Sequence, residues 1–461
     1  MANLKPLLLN IRIIRYMSVL NENSVFSSLN QTGPLAVHDS VTLNRRVSAR
    51  IKRWVRNLKQ SELNVTKYRA LRRQIFEFLN ITSFGDIETL LANQAARGAC
   101  SIRGYILLGN MFGIDGNEQE IKFRVNEYAH TANSVINSLK NKLFAPYASH
   151  VAITNEVEIT SDPVDLLLMS FDDRYHKKAR FEAQRKLSLM SLAGSIDQRE
   201  RETGIEDKFA QFLNFLNDFV WSNNQKIGEH DIVYLLSHHS NADFSCADVQ
   251  VIDKEDAPNI TLEKGLKLTL LKRRRFTVGK REIPIYVSIR KKPPEAKVLK
   301  LLRKNEKNPA VAVDDELGLM AVLNSSADVK IFQNHLTQSA GKADSFMILE
   351  DISDTLTGGD HKATSSGSCS KTPMLKFFAR LGGMRVEFII HTNQSWVNYM
   401  YQRDVAHDEY EVKRIFDSGV AELLFPRDIY FLNHLEVRNN MIKLYRKQIE
   451  EAWRWTKNGS G

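Results

Sequence analysis

The sequence predicts an α+β protein, with a mixed β-sheet flanked by helices in the C-terminal half and a mainly helical region before it. Apolar residues recur at helical spacing up to about residue 205, while segments beyond Ile283 alternate strand with helix. Gly382-Gly383 separates two apolar runs in the manner of a hairpin turn. A hydrophobic share of 43% and a charged share of 26% give the chain enough apolar surface for a core.

Within the first region, Tyr68–Leu79, Ile87–Ala95 and Val125–Leu143 have helical periodicity, and Lys177–Glu202 reads as a charged helix. Ala152–Ile159 is rich in β-branched residues and predicts a strand, ended by Ser161-Asp162-Pro163. Glu202-Thr203-Gly204 reads as a boundary, which gives a helical regulatory or partner-binding region over 1–205 and a second domain over 206–457. The first 21 residues contain Lys5, Arg12 and Arg15 but no acid. That pattern suits an amphipathic first helix better than an organellar presequence, which would make the location mitochondrial.

In the second domain, Phe209–Val220 predicts an amphipathic helix, with Ile232–Leu236 continuing apolar. Strands are expected at Ile283–Ile289, Glu316–Leu323 and Phe346–Ile352, with helices at Glu295–Leu302 and Asp328–Leu336. Leu375–Leu381 and Met384–Ile390 form the hairpin, and long helices follow at Trp396–Phe416 and Pro426–Trp455. Thr355–Thr372 is polar and Gly/Ser-rich, hence a loop.

Composition narrows the function. Three scattered cysteines (Cys100, Cys246, Cys369) argue against a disulfide framework or a zinc site and fit a reducing, cytoplasmic location. No apolar run approaches the ~18 residues of a membrane-spanning helix. A net charge of +10, gathered at Arg45–Lys59, Lys264–Arg281 and Arg290–Lys307, suggests polyanionic partners such as nucleotides or RNA.

The residues that carry chemistry lie in three places. Arg290 and Lys292 stand two apart at a strand end and can point to one side of the sheet, with Lys300 two turns into the next helix. Cations converging in this way can bind a triphosphate. Asp314-Asp315 opens the next strand, and Glu387 stands in the strand Val386–Ile390, where a carboxylate amid apolar neighbours must be exposed, paired or bound to a cation. Two carboxylates from neighbouring strands beside a basic pocket are what Mg²⁺–nucleotide chemistry needs.

The order of these motifs resembles the synthetase domain of the RelA/SpoT family, the alarmone synthetases, across roughly Ala210 to Trp455. The family's Arg-x-Lys, small residue and second Lys fall on Arg290, Lys292, Ala296 and Lys300. Its Asp strand falls on Asp315–Met320, its Glu-x-Gln-Ile-Arg-Thr strand on Glu387–Thr392, and its following helix on Trp396 and Ala406–Tyr410. The resemblance implies a nucleotidyltransferase-like fold that transfers a pyrophosphoryl group from ATP to the ribose 3′-hydroxyl of a nucleotide or tRNA acceptor. By it, Arg290, Lys292 and Lys300 hold ATP, and Asp315 and Glu387 hold Mg²⁺, with Glu387 also activating the acceptor. His391 and His407 would support the site or touch phosphate.

Two departures bear on the acceptor. Met320 stands where the family has Arg, and Ser370–Lys376 replaces a stretch whose Tyr stacks on the acceptor guanine. Stacking is worth about 1–3 kcal/mol per base. Altered acceptor recognition follows, or an inactive fold that binds RNA or serves in an assembly. The family's hydrolase pattern is met only superficially, by His176, His230-Asp231 and Asp243 or Asp248.

Overall fold

In a computed structural model, the described residues are 76–77, 79–83, 85–222, 231–304, 308–313, 316–358, 372–402 and 407–454. The expected first helix, the Arg45–Lys59 run, most of Tyr68–Leu79, Asp315, Cys369 and most of the Gly/Ser-rich loop lie outside them. The chain divides into two units. One combines Met1–Thr203 with Pro293–Val313 and Ile415–Val437; the other combines Gly204–Lys292, Asp314–Arg414 and Arg438–Gly461. The division beside residue 204 coincides with Gly204, whose φ of 60° ends a helix. The two later excursions into the first unit have no counterpart in the sequence reading.

The first unit is helical, with Gln94–Met111, Glu118–Leu143 and Lys177–Thr203 as its long helices. Glu118–Leu143 starts with a capping box between Asn117 and Glu120, so the chain enters the helix with its first donors satisfied. Lys177–Thr203 reads as charged, yet Arg180, Glu182, Arg185 and Lys186 are all buried. The Arg185 guanidinium donates to the Leu424 carbonyl (2.6 Å) and the Tyr430 hydroxyl (2.8 Å), and that hydroxyl donates to Glu182 (2.8 Å). Such closed networks are the condition for burying charge. They also explain why residues 415–437 belong to this unit. The expected strand at 152–159 is instead the short helix Asn155–Ile159. There the Lys186 ammonium donates to the Val157 and Glu158 carbonyls, a tertiary contact that overrides the β-branched propensity.

The second unit is built on an eight-stranded mixed sheet. Its strands are β1 (Asp231–His239), β2 (Cys246–Asp253), β3 (Leu266–Val278), β4 (Arg281–Lys291), β5 (Leu317–Leu323), β6 (Met347–Asp354), β7 (Leu375–Leu381) and β8 (Met384–Thr392). The order is β2-β1-β3-β4-β5-β8-β7-β6, and only β5 and β8 run parallel. One face packs on an aromatic core containing Phe212, Phe276, Phe332, Phe377 and Phe388, contributed by the sheet and by the helices Ile205–Phe215 and Ser326–Lys342. On the other face, the helix Asn393–Tyr401 covers the β1–β3 end, with Trp396 against Val233, Tyr286 and Val322. The expected long helices are interrupted: His407–Asp417 is separate from Asn393–Tyr401, and Arg427–Tyr430 ends at Phe431 (φ 55°) before His434–Arg454 begins. Among the described residues, no helix is long and apolar enough to cross a membrane.

Phe388 is fully buried, stacked on Phe377 at 5.0 Å and edge-on to Phe212 at 6.2 Å. Phe388→Ala is expected to destabilise the sheet unit by about 3–5 kcal/mol in denaturant unfolding. A loss below about 1 kcal/mol would remove this ring from the centre of the core.

Candidate functional site

Strand register decides which charged residues meet. Arg290 on β4 pairs with Gly318 on β5, Gly318 with Glu387 on β8, and Glu387 with Phe378 on β7. These four positions form one row across the sheet, on the face opposite the aromatic core. Lys376 is opposite Ile389, one step diagonal from Glu387 on the same face.

Arg290 and Glu387 flank an intervening strand, a separation near ~10 Å at ordinary strand spacing. The arginine spans it because Gly318 lacks a side chain: a Cβ there would lie 2.8 Å from the Arg290 Nε. The guanidinium thus donates to Glu387 Oε2 at 2.7 Å, and the Lys376 ammonium meets Oε1 at 3.0 Å. Glu387 and Lys376 side chains are only 8% and 7% exposed, whereas Arg290 is 47% exposed. Burial alone would favour the neutral acid, but the charges of Lys376, Lys292 and Arg290 outweigh it and hold Glu387 at about 2. The charges of three cations thus converge on one carboxylate. Beside it, the Arg385 guanidinium stacks on Phe378 at 3.6 Å and pairs with Glu350 and Asp351.

The structure thus brings Arg290, Lys292 and Glu387 together within the sheet unit. Lys300 belongs to the helical unit, where its buried ammonium donates to the Val311 carbonyl, and its neighbour Lys297 pairs with Glu200. After Lys292 the chain passes into that unit, which holds Pro293–Val313. Asp315 lies outside the described residues. His391 has no solvent exposure, and burial pushes it down to about 4, so it is a neutral core histidine rather than a phosphate contact. Its Nδ1 lies 3.2 Å from the Ser395 hydroxyl at the start of the covering helix. His407 is the first residue of its helix, and its side chain is outside the described set.

In the basic run Lys264–Arg281, three arginines are engaged within the sheet unit. Arg273 pairs with Asp231 and Asp253, Arg275 with Asp231 and Glu282, and Arg281 with Asp328. Those arginines hold strands and a helix together. Lys376 is the site residue missed in the sequence. Alternation along β7, with Leu375, Phe377, Ala379 and Leu381 in the core, places Lys376 on the Glu387 face and is the signal that identifies it. Among the described residues, no group of three or more His, Cys, Asp or Glu is disposed to hold a metal.

No protein-family model matches the chain, and neither the curated proteins nor the solved structures provide a significant match.

Glu387 lies well below an ordinary glutamate in the folded state, so its contribution to stability is complete above about pH 4.5 and is lost as pH falls toward 2. Glu387→Gln should remove that contribution, on the order of 3 kcal/mol, and flatten the acid limb of the unfolding profile between these pH values. An unchanged acid limb in the variant would show that the carboxylate is not held in this way.

Proposed function

We propose that the sheet unit is a divergent, RelA/SpoT-like nucleotidyltransferase domain that takes the phosphates of ATP on Arg290 and Lys292 and transfers a pyrophosphoryl group to a ribose 3′-hydroxyl. The observation that carries the reading is the row Arg290–Gly318–Glu387, in which a cation and a carboxylate meet across an intervening strand on the face opposite the aromatic core. In the reaction, the acceptor oxygen bonds to the β-phosphorus of ATP as the bond from that phosphorus to the α,β-bridging oxygen breaks. AMP leaves with the bridging oxygen, and the hydroxyl proton passes to solvent. Positioning and charge neutralisation dominate such transfers, which suits a cluster of fixed cations.

Glu387 fits a narrower role than activation of the acceptor. Held at about 2, it is a poor proton acceptor at neutral pH, where an effective base has a pKa near the working pH. It orients Arg290 and Lys376 instead. The expected Mg²⁺ rests on Asp315 together with Glu387. Both Glu387 oxygens are engaged by cations, so the described donors alone do not make a magnesium site.

A second reading is a retired catalytic fold that binds RNA or serves in an assembly. The engagement of Lys300 by Val311 favours it, as does Met320 in place of the family's arginine. AMP release from ATP, measured with Mg²⁺ and a panel of GDP, GTP and tRNA acceptors, separates the two. Under the first reading, release depends on an acceptor and falls about 10²-fold in Arg290→Ala. No acceptor-dependent AMP from the folded wild-type chain, with RNA binding retained, would reject transfer and leave the second reading.

A further inference from the structure

The three cations of the site are not equivalent. Lys376 is buried beside Glu387 and close to the Phe378 ring (5.7 Å), so its ammonium is fixed inside the sheet face. Arg290 reaches the same carboxylate from two strands away, with nearly half of its side chain exposed and only Gly318 beneath it. A carboxylate and a phosphate offer the guanidinium the same forked acceptor geometry, so the two compete for it. Arg290 can therefore leave Glu387 for a ligand, but only if the carboxylate it leaves behind still has a counter-ion. Lys376 supplies that counter-ion, and without it the departure would strand a buried charge.

We propose that Arg290 is an exchangeable phosphate ligand, handed from Glu387 to a bound polyphosphate, and that Lys376 and Gly318 are the positioning residues that permit the exchange. The inference rests on the proposed phosphate-binding reading of this face and deepens it. Glu387 acts as a competitor that lowers affinity for phosphate while keeping Arg290 aimed across β5. The apparent affinity is reduced by the fraction of time that Arg290 spends on Glu387.

The test is calorimetric titration of the full chain with inorganic tripolyphosphate in the absence of divalent metal, with circular dichroism confirming the fold of each variant. Glu387→Gln should bind about tenfold tighter than wild type, because Arg290 is no longer held. Gly318→Ala, which displaces Arg290 without changing any charge, should shift in the same direction. Lys376→Met should bind about tenfold weaker, yet have little effect when added to Glu387→Gln, since Lys376 acts through the carboxylate. Lys376→Arg should restore wild-type affinity.

Equal weakening by Lys376→Met in both backgrounds would overturn the assignment, since it would make Lys376 a direct ligand. Weaker or unchanged binding by Glu387→Gln, with wild type still binding, would overturn the exchange alone and leave the phosphate site standing. Should Lys376→Met fail to fold, Glu387→Gln and Gly318→Ala decide the question by the sign of their shifts. No binding by wild type or by Glu387→Gln would overturn both the exchange and the phosphate site. Displacement of tripolyphosphate by ATP but not by single-stranded RNA identifies a nucleotide as the phosphate source, and the converse identifies RNA. Displacement by neither overturns the proposed ligand class.

Discussion

Glu387 stands near the middle of an eight-stranded sheet with almost no access to water, and much of the second unit is arranged around keeping it charged. An isolated buried carboxylate would be neutral or would destabilise the fold by several kcal/mol. Lys376 answers it from the adjacent strand and Arg290 from two strands away, over a residue that has no side chain. Each partner depends on register. A slip of one residue in β4 or β7 would turn Arg290 or Lys376 toward the aromatic face and expose core residues to the charged one. The ion pairs and the apolar pattern consequently specify the same alignment of strands.

The helical unit follows the same rule with different chemistry. Its central helix buries two arginines, a lysine and a glutamate, of which Arg185, Lys186 and Glu182 are satisfied by main-chain carbonyls and by the tyrosine hydroxyl of a distant segment. Arg185 also lies 5.0 Å over the Phe425 ring, so its planar cation is both packed and hydrogen-bonded. Charge in the sequence of this chain is thus a weak guide to exposure. In both units the buried ions are joints between segments far apart in sequence.

What was legible in the residues follows from this. The cores of β4 to β8 could be read because their apolar residues alternate or run together and because Gly382-Gly383 marks a turn. β3 could not, since Lys272 to Arg275 places cations on both of its faces and hides the period of two. Arg290 stood out by its place at a strand end and Glu387 as a carboxylate amid apolar neighbours. Lys376 escaped because it falls where the chain departs from the family pattern, so only strand alternation points to it. That Lys300 belongs to the helical unit is something local sequence does not carry, since Pro293 begins an excursion there. His391 has the residue type of a phosphate contact but is roofed by the helix that starts two residues later.

Those excursions have a consequence for how the chain is made. The polypeptide passes between units after Thr203, Lys292, Val313, Arg414 and Val437, so neither unit is a continuous stretch of sequence. During synthesis the helical unit emerges first, yet Arg185 and Glu182 must wait for Leu424 and Tyr430, more than two hundred residues later in the chain. Their charges stay hydrated, or are shielded by other molecules, until Tyr430 has left the ribosome. Contacts of such long sequence separation slow folding and prolong the exposure of incomplete surfaces. The two units are interleaved in the order of their birth, and each becomes complete only when the other is almost complete.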